Sequence, residues 1–199
     1  MIKPCIGLTP EKTAELAYEA AVGGVDVIKD DELVCDPDFC RLNDRVKAVM
    51  EALKRADEEK GEKTPYAFNI TAPAEQMKEN AYRALEAGAN ALMINYAAVG
   101  LDTVRLITED PDINVPILAH SDYTGAQYES PWSGVSATLI GAKLPKTCRA
   151  GYDHWINAIW EIPYDDGYIC KYGTADDCSD AAYQTGISNA WRRNNTGTH

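Results

Sequence analysis

The chain of 199 residues is long enough for one domain with a hydrophobic core. Its formal net charge of −12 argues against binding to nucleic acid or to anionic membrane surfaces. It contains no apolar run long enough to span a membrane and no signal-peptide pattern, so we expect a cytoplasmic protein. The six cysteines show no CxxC pair and no zinc-ligand spacing, which favours reduced thiols.

Residues 1–146 alternate between strand patterns and helix patterns. Short apolar runs rich in β-branched residues predict five strands, at 3–8, 25–28, 65–70, 91–96 and 115–119. Five strand–helix units in succession indicate a parallel sheet with helices outside it. The predicted fold class is therefore α/β.

Local signals predict the helices between these strands. Thr9-Pro10 has the form of an N-cap followed by proline at the first helical position, and Gly23-Gly24 ends that helix. The second helix carries an apolar stripe with the spacing i, i+3, i+4, i+7, formed by Val46, Val49, Met50 and Leu53. A helix after Thr71 buries Met77, Ala81 and Leu85, and further helices are predicted near 101–108 and 135–140.

A (β/α)₈ barrel and a doubly wound sheet both fit this order of elements. Polar residues end four of the predicted strands: Lys29, Asp31 and Glu32; Asn69 and Thr71; Asn95; and His120, Ser121 and Asp122. Polar side chains at the carboxyl ends of many strands form the active face of a barrel. The prediction is a partial TIM barrel of about five βα units over residues 1–146, too few to close a barrel.

The stretch from Gly23 to Glu32 is the most informative part of the sequence. A buried strand there runs straight into Lys29, Asp30, Asp31 and Glu32. Two carboxylates beside an amine suit a hard cation such as Mg²⁺. A solvated charge run after a strand is the alternative for a bare K-D-D-E.

Residues 1–146 resemble the catalytic barrel of the RuBisCO large chain, and more closely the RuBisCO-like proteins (form IV). The segments that carry the resemblance are Lys3-Pro4 with Gly7-Leu8, the stretch from Gly23 to Glu32, Phe68 to Thr71, Met93 to Tyr96, and His120. The pattern G-G-x-D-x-x-K-D-D-E within it is highly specific.

The resemblance implies a set of site residues. In the family the lysine of this pattern is carbamylated, and the carbamate, the second aspartate and the glutamate bind Mg²⁺. These roles fall on Lys29, Asp31 and Glu32. Lys3 matches a lysine that assists proton transfer, and His120 matches a histidine that lines the substrate site. The expected catalytic residues are therefore Lys3, Lys29 and His120, with Asn69 and Asn95 as substrate-lining residues.

Two departures from the family pattern bear on the activity. Cys5 stands where carboxylases have a second lysine, and Ser121 stands where they have an arginine that holds a substrate phosphate. A serine cannot supply a bidentate guanidinium fork. The resemblance thus implies Mg²⁺-dependent enolisation or isomerisation of a phosphorylated sugar-like substrate by a homodimer or larger oligomer. The alternatives are a fragment of a genuine carboxylase large chain and a non-catalytic remnant or interaction protein.

Several residues also have non-catalytic interpretations. Lys3 could be a surface lysine, His120 a structural histidine, and Asn69 and Asn95 capping groups at strand ends. An unrelated barrel enzyme that uses Lys29 as a Schiff-base amine is a further hypothesis, which the three adjacent acids disfavour because they raise the basicity of the amine.

Residues 147–199 have a different character from the rest of the chain. They contain no Leu, Val, Met or Phe and follow no helical or strand period. Read one base later, with suitable codons, Thr147–Trp155 becomes Leu-Ala-Gly-Leu-Asp-Met-Ile-Ile-Gly, which resembles the family's sixth strand. We interpret this segment as an out-of-frame tail. We therefore expect the 199-residue chain, which lacks the family's N-terminal domain and strands six to eight, to be a fragment without catalytic activity.

Overall fold

The computed structural model describes residues 1–132 and 134–148. Its four strands are Ile28–Lys29 (β1), Tyr66–Asn69 (β2), Ala91–Asn95 (β3) and Ile117–His120 (β4). Its α-helices are Pro10–Val22 (α1), Leu42–Lys60 (α2), Ala74–Glu86 (α3), Tyr96–Val99 (α4), Leu101–Thr108 (α5), Gly125–Tyr128 (α6) and Leu144–Thr147 (α7), and a π-helical segment covers Leu139–Lys143.

The strands form one parallel sheet in the order β1-β2-β3-β4. Helices connect each strand to the next, as parallel strands require. Neighbours in sequence are thus neighbours in space, which is the arrangement of an arc of a (β/α)₈ barrel. The predicted α/β class and partial barrel are confirmed.

The two faces of the sheet have different partners. Residues on one face pack against the helices in the main hydrophobic core; they include Ile28, Tyr66, Phe68, Leu92, Ile94, Ile117 and Ala119. The opposite face carries a second buried cluster formed by Ala67, Ala91, Met93 and Leu118. Side chains alternate along a strand. Asn95 and His120, two positions after Met93 and Leu118, therefore lie on the same face of the sheet as this second cluster.

The helix boundaries follow their local signals. Thr9 caps α1 by accepting a hydrogen bond from the backbone N–H of Lys12 at 3.3 Å, and Pro10 occupies the first helical position. Gly24 lies just beyond the C-cap with φ 86°, a left-handed conformation that glycine adopts without strain. In α2, Val46, Val49 and Leu53 are fully buried as predicted, while Met50 is half-buried.

Two predicted strands differ from the structure. Residues 3–8 form no strand; the backbone pairing before them is the bond from the Ile2 N–H to the carbonyl of Lys29 at 3.0 Å. Pro4 has no N–H with which to continue that pairing. The strand predicted at 25–28 is shorter, because Val25 is 40% exposed and its N–H bonds back to the carbonyl of Ala20 to close α1.

The last predicted helix is displaced along the chain. A short helix forms at Gly125–Tyr128, and the helical turns expected at 135–140 run on through Leu139–Lys143 and Leu144–Thr147. Apart from Thr147 and Cys148, the predicted tail lies outside the described residues. Among the helices in residues 1–132 and 134–148, none is long and apolar enough to cross a membrane.

Candidate metal centre and active site

The register of the sheet gathers the polar strand ends on one side. Lys29 is opposite Ala67 in the pairing of β1 with β2, Asn69 is opposite Met93, and Asn95 is opposite His120. Residues that are directly opposite, or two apart on one strand, project from the same face. Four predicted site residues therefore share the face that carries the second buried cluster: Lys29, Asn69, Asn95 and His120.

The carboxylate of Glu32 lies between two of these residues. Its Oε2 atom is 3.9 Å from Nζ of Lys29 and 3.9 Å from Nε2 of His120. This oxygen is buried and accepts no hydrogen bond. A buried carboxylate oxygen without a donor is costly, so the site favours a ligand that supplies a donor or a positive charge there.

Asp31 lies just after β1 and accepts hydrogen bonds from two donors. Lys3 pairs with its Oδ2 atom, and the backbone N–H of Leu33 donates to Oδ1 at 2.9 Å. Burial raises the pKa of Asp31, but these hydrogen bonds outweigh it and the net pKa is lowered. Asp31 is thus a carboxylate at neutral pH. The same hydrogen bond raises the pKa of Lys3, which keeps that side chain an ammonium while the pair persists.

The backbone determines the tautomer of His120. The N–H of Asp122 donates to Nδ1 of His120 at 3.2 Å. A neutral imidazole with Nδ1 as acceptor carries its proton on Nε2. We infer that His120 presents an N–H donor on the side of Glu32.

Asn69 and Asn95 contact the main chain of the loop that follows β1, Asp30 to Cys35, which we call the acidic loop. Asn69 Nδ2 and Asn95 Nδ2 each donate to the carbonyl oxygen of Glu32 at 2.9 Å. Asn69 also caps its own strand end, because its Oδ1 accepts from the N–H of Thr71 at 3.1 Å. The capping interpretation thus describes contacts that the structure shows, and substrate contact stays a prediction.

A buried ionic network supports the loop from the helix side. Arg45, on α2, donates from Nε to Asp30 Oδ2 at 3.1 Å and from its terminal nitrogens to the carbonyls of Cys35 and Cys40, both at 2.7 Å. Asp30 also accepts from Tyr66 Oη at 2.6 Å and from the N–H of Asn69 at 2.9 Å. The pKa of Tyr66 is raised well above its usual value by burial and then by Asp30, so Tyr66 stays a phenol donor.

Sequence reasoning missed Arg45 and gave Asp122 no role in the site. Arg45 is 0% exposed and lies three residues after Leu42 and four before Val49, so its place on the apolar stripe of α2 was a visible signal. From the sequence, Asp122 was expected at the end of the fifth predicted strand, with no role in the site. Burial raises its pKa, His120 lowers it and the carboxylate of Glu32 raises it, with a net rise, so Asp122 shares the electrostatic environment of the site.

The described residues do not by themselves form a site for a hard cation. Within residues 1–132 and 134–148, no group of three His, Cys, Asp or Glu side chains is arranged to hold a metal ion. Asp31 and Glu32 supply carboxylate oxygens, one of them the buried unpaired Oε2 atom. The ammonium of Lys29, 3.9 Å away, would repel a cation. Magnesium binding at this site would therefore require an oxygen-bearing group on Lys29 in place of its positive charge.

Comparison with known proteins gives one matching family. The family described as "Ribulose bisphosphate carboxylase large chain, catalytic domain" matches residues 1–156. A ribulose bisphosphate carboxylase-like protein of Archaeoglobus fulgidus is 55% identical over 150 residues, which are 75% of this chain and 34% of that protein. A 2,3-diketo-5-methylthiopentyl-1-phosphate enolase of Bacillus cytotoxicus is 42% identical over 134 residues, 67% of this chain and 32% of that protein.

Solved structures of the same family are also similar to this chain. A RuBisCO-like protein from Alicyclobacillus acidocaldarius superimposes with a TM-score of 0.69 at 39% identity, covering 73% of this chain and 37% of that chain. A dimeric archaeal Rubisco from Hyperthermus butylicus superimposes with a TM-score of 0.68 at 33% identity, covering 72% and 34%. The chain spans about a third of the length of the curated relatives it matches.

Proposed function

The chain belongs to the ribulose bisphosphate carboxylase large-chain family, and from this premise we propose that it carries the cation-binding part of a RuBisCO-like active site. The reaction is abstraction of a proton next to a carbonyl group in a phosphorylated sugar-like substrate. The relative from Bacillus cytotoxicus is named for such an enolisation, which makes 2,3-diketo-5-methylthiopentyl-1-phosphate the first substrate to test.

One observation carries this proposal. Side chains from the ends of two strands, β1 and β4, meet around Oε2 of Glu32, a buried oxygen without a hydrogen bond. Its neighbours are Lys29 and His120, each at 3.9 Å. This arrangement supports a ligand-binding site at Glu32, which suits a cation only after Lys29 has lost its positive charge.

The metal ligands follow from the donor chemistry. The unprotonated amine of Lys29 adds CO₂ and releases one proton, which replaces a repelling ammonium by a carbamate. That group, Asp31 and Glu32 would then hold Mg²⁺, whose oxygen preference they match. Bound Mg²⁺ supplies Lewis-acid stabilisation of negative charge on an enolate oxygen.

The remaining residues bind and move protons. His120, protonated on Nε2, is suited to donate a hydrogen bond to a substrate oxygen. Lys3 is an ammonium while it is paired with Asp31, so it acts first as a proton donor and becomes a base only after it has lost a proton. Ser121 and Cys5 lack the cationic groups of carboxylases, which disfavours ribulose-bisphosphate carboxylation.

Two further expectations remain proposals. A homo-oligomer is expected because the Hyperthermus butylicus structure is dimeric. That the 199-residue chain does not turn over substrate by itself stays a prediction, which an enolase assay on the purified chain tests.

Metal binding tests the proposed site directly. We expect the full chain to bind Mg²⁺ or Mn²⁺ in calorimetric titrations only when bicarbonate is present, because the carbamate requires CO₂. Lys29→Arg removes the amine that forms a carbamate and should abolish this dependence. Lys12→Arg is the matched control, since Lys12 is exposed on α1. Equal metal binding by wild type and Lys29→Arg would contradict the proposal, as would the absence of any binding by wild type.

A further inference from the structure

The carbonyl of Glu32 is held by two side chains that come from two different strands. Asn69 ends β2 and Asn95 ends β3, and each places its amide nitrogen 2.9 Å from this oxygen. In the sheet order β1-β2-β3, β3 is not a neighbour of β1. The bond from Asn95 therefore ties the acidic loop after β1 to a strand that its backbone does not pair with.

Asn95 is itself fixed in place. It is only 5% exposed, and its backbone N–H donates to Oγ1 of Thr71 at 3.0 Å. Its side-chain Oδ1 atom is buried and accepts no hydrogen bond. A buried amide with an unpaired oxygen is an expensive group, and its nitrogen donates to the carbonyl of Glu32.

Fixing the carbonyl of Glu32 limits where its carboxylate can lie. The next residues are also ordered by the loop, since the N–H groups of Leu33 and Val34 donate to Oδ1 and to the carbonyl of Asp31 at 2.9 and 3.1 Å. Hydrogen bonds to the residues that carry metal ligands orient those ligands, and their loss typically lowers metal affinity about 10- to 100-fold.

We infer that Asn95 is a positioning residue, which sets the geometry of Glu32 as a ligand through the hydrogen bond from its amide to the Glu32 carbonyl. The expected effect on metal affinity rests on the proposed function. The ordering of the acidic loop by the hydrogen bond from Asn95 does not depend on it. This positioning role differs from the substrate-lining role predicted for Asn95, because it acts before any substrate binds.

Asn95→Ala tests the inference in the full-length chain, and Asn90→Ala is a matched control. Asn90 makes two comparable hydrogen bonds at the opposite end of the same strands, to the N–H of Tyr66 and to the carbonyl of Thr64, at 2.9 and 3.2 Å. Amide hydrogen exchange by mass spectrometry, without metal, reports the order of segment 31–35. Titration with Mn²⁺ in bicarbonate reports the affinity of the site.

We expect Asn95→Ala to speed exchange in segment 31–35 and to weaken Mn²⁺ binding by about tenfold or more. Asn90→Ala should speed exchange near Tyr66 and leave Mn²⁺ affinity unchanged. Unchanged exchange in segment 31–35 overturns the inference, and so does faster exchange with wild-type metal affinity. If Asn95→Ala does not fold, Asn95→Asp keeps the shape, loses the donor and gives the same exchange measurement.

The two proposals fail in different ways. If wild type binds no Mn²⁺ in bicarbonate, the proposed function fails, and the exchange result alone then decides whether Asn95 orders the loop. If wild type binds Mn²⁺ and Asn95→Ala matches wild type in metal affinity or in exchange of segment 31–35, the metal site stands and the role of Asn95 is wrong.

Discussion

At the scale of single residues, Arg45 joins the acidic loop to α2. Its guanidinium is completely buried and bonds to the carboxylate of Asp30 and to three carbonyls, those of Val34, Cys35 and Cys40. A planar fork with five donors can satisfy these four acceptors at once, whereas a lysine ammonium has only three donors. The loop that carries Asp31 and Glu32 is thus supported from α2 as well as from the strand ends.

Arg45→Met is expected to lower the free energy of unfolding by about 3–5 kcal/mol, because it leaves the carboxylate of Asp30 buried without its cation. Urea denaturation of the purified chain measures this. Arg55→Met, on the exposed side of the same helix, is the control and should change stability little. Adding Asp30→Asn to Arg45→Met should recover part of the loss, and a single variant as stable as wild type would refute this account.

At the level of elements, a charged cluster attaches α3 to the loop between α5 and β4. Asp110 in that loop is 6% exposed and accepts from Lys78 Nζ at 2.7 Å and from Tyr82 Oη at 2.8 Å, both on α3. Burial raises the pKa of Asp110, but these donors and the N–H of Asp112 outweigh it, so the net pKa is lowered. The link is electrostatic and therefore depends on pH.

A lowered pKa in the folded state means that Asp110 adds stability above its unfolded pKa, and that this contribution is lost as pH falls through the folded pKa. Asp110→Asn should therefore destabilise the chain at pH 7, by about 1–3 kcal/mol, and the difference from wild type should shrink below pH 4 or so. Urea denaturation from pH 7 to pH 2 measures both. Asp112→Asn is the exposed control; a difference independent of pH would contradict the assignment.

For the whole molecule, the boundary at 146–147 separates two kinds of sequence. The part before it supplies the sheet and its helices, and the part after it contains no Leu, Val, Met or Phe. A core needs such side chains, because the burial of apolar surface is the main favourable term in folding. We propose that residues 147–199 are an out-of-frame tail on a barrel segment.

The nucleotide sequence tests this proposal without any protein. Codons for 147–199, read one base later, should encode Leu-Ala-Gly-Leu-Asp at the start. Glycine at 155, 160 and 191 follows from the single tryptophan codon in any case, so the other positions carry the test. Sequencing of the gene across codons 146 and 147 and on to the stop measures this. Codons that do not encode these residues in the shifted frame would exclude the interpretation.

The sequence by itself determined the local features of this protein. The cap at Thr9, the end of α1 at Gly23-Gly24 and the buried stripe of α2 were predicted correctly, because each depends on residues within one or two helical turns. The order of elements and the polar strand ends were predicted for the same reason. The family resemblance added roles to Lys29, Asp31 and Glu32, which stay predictions.

Only the tertiary structure decided which of these groups meet. The contact of Asn95 with Glu32 spans 63 residues, and it depends on the register of β2 and β3, which no local pattern encodes. The exposure of Val25 and the missing strand at 3–8 have the same origin, because a strand forms only where a partner offers hydrogen bonds. The unpaired Oε2 of Glu32 likewise appears only when the strand ends are brought together.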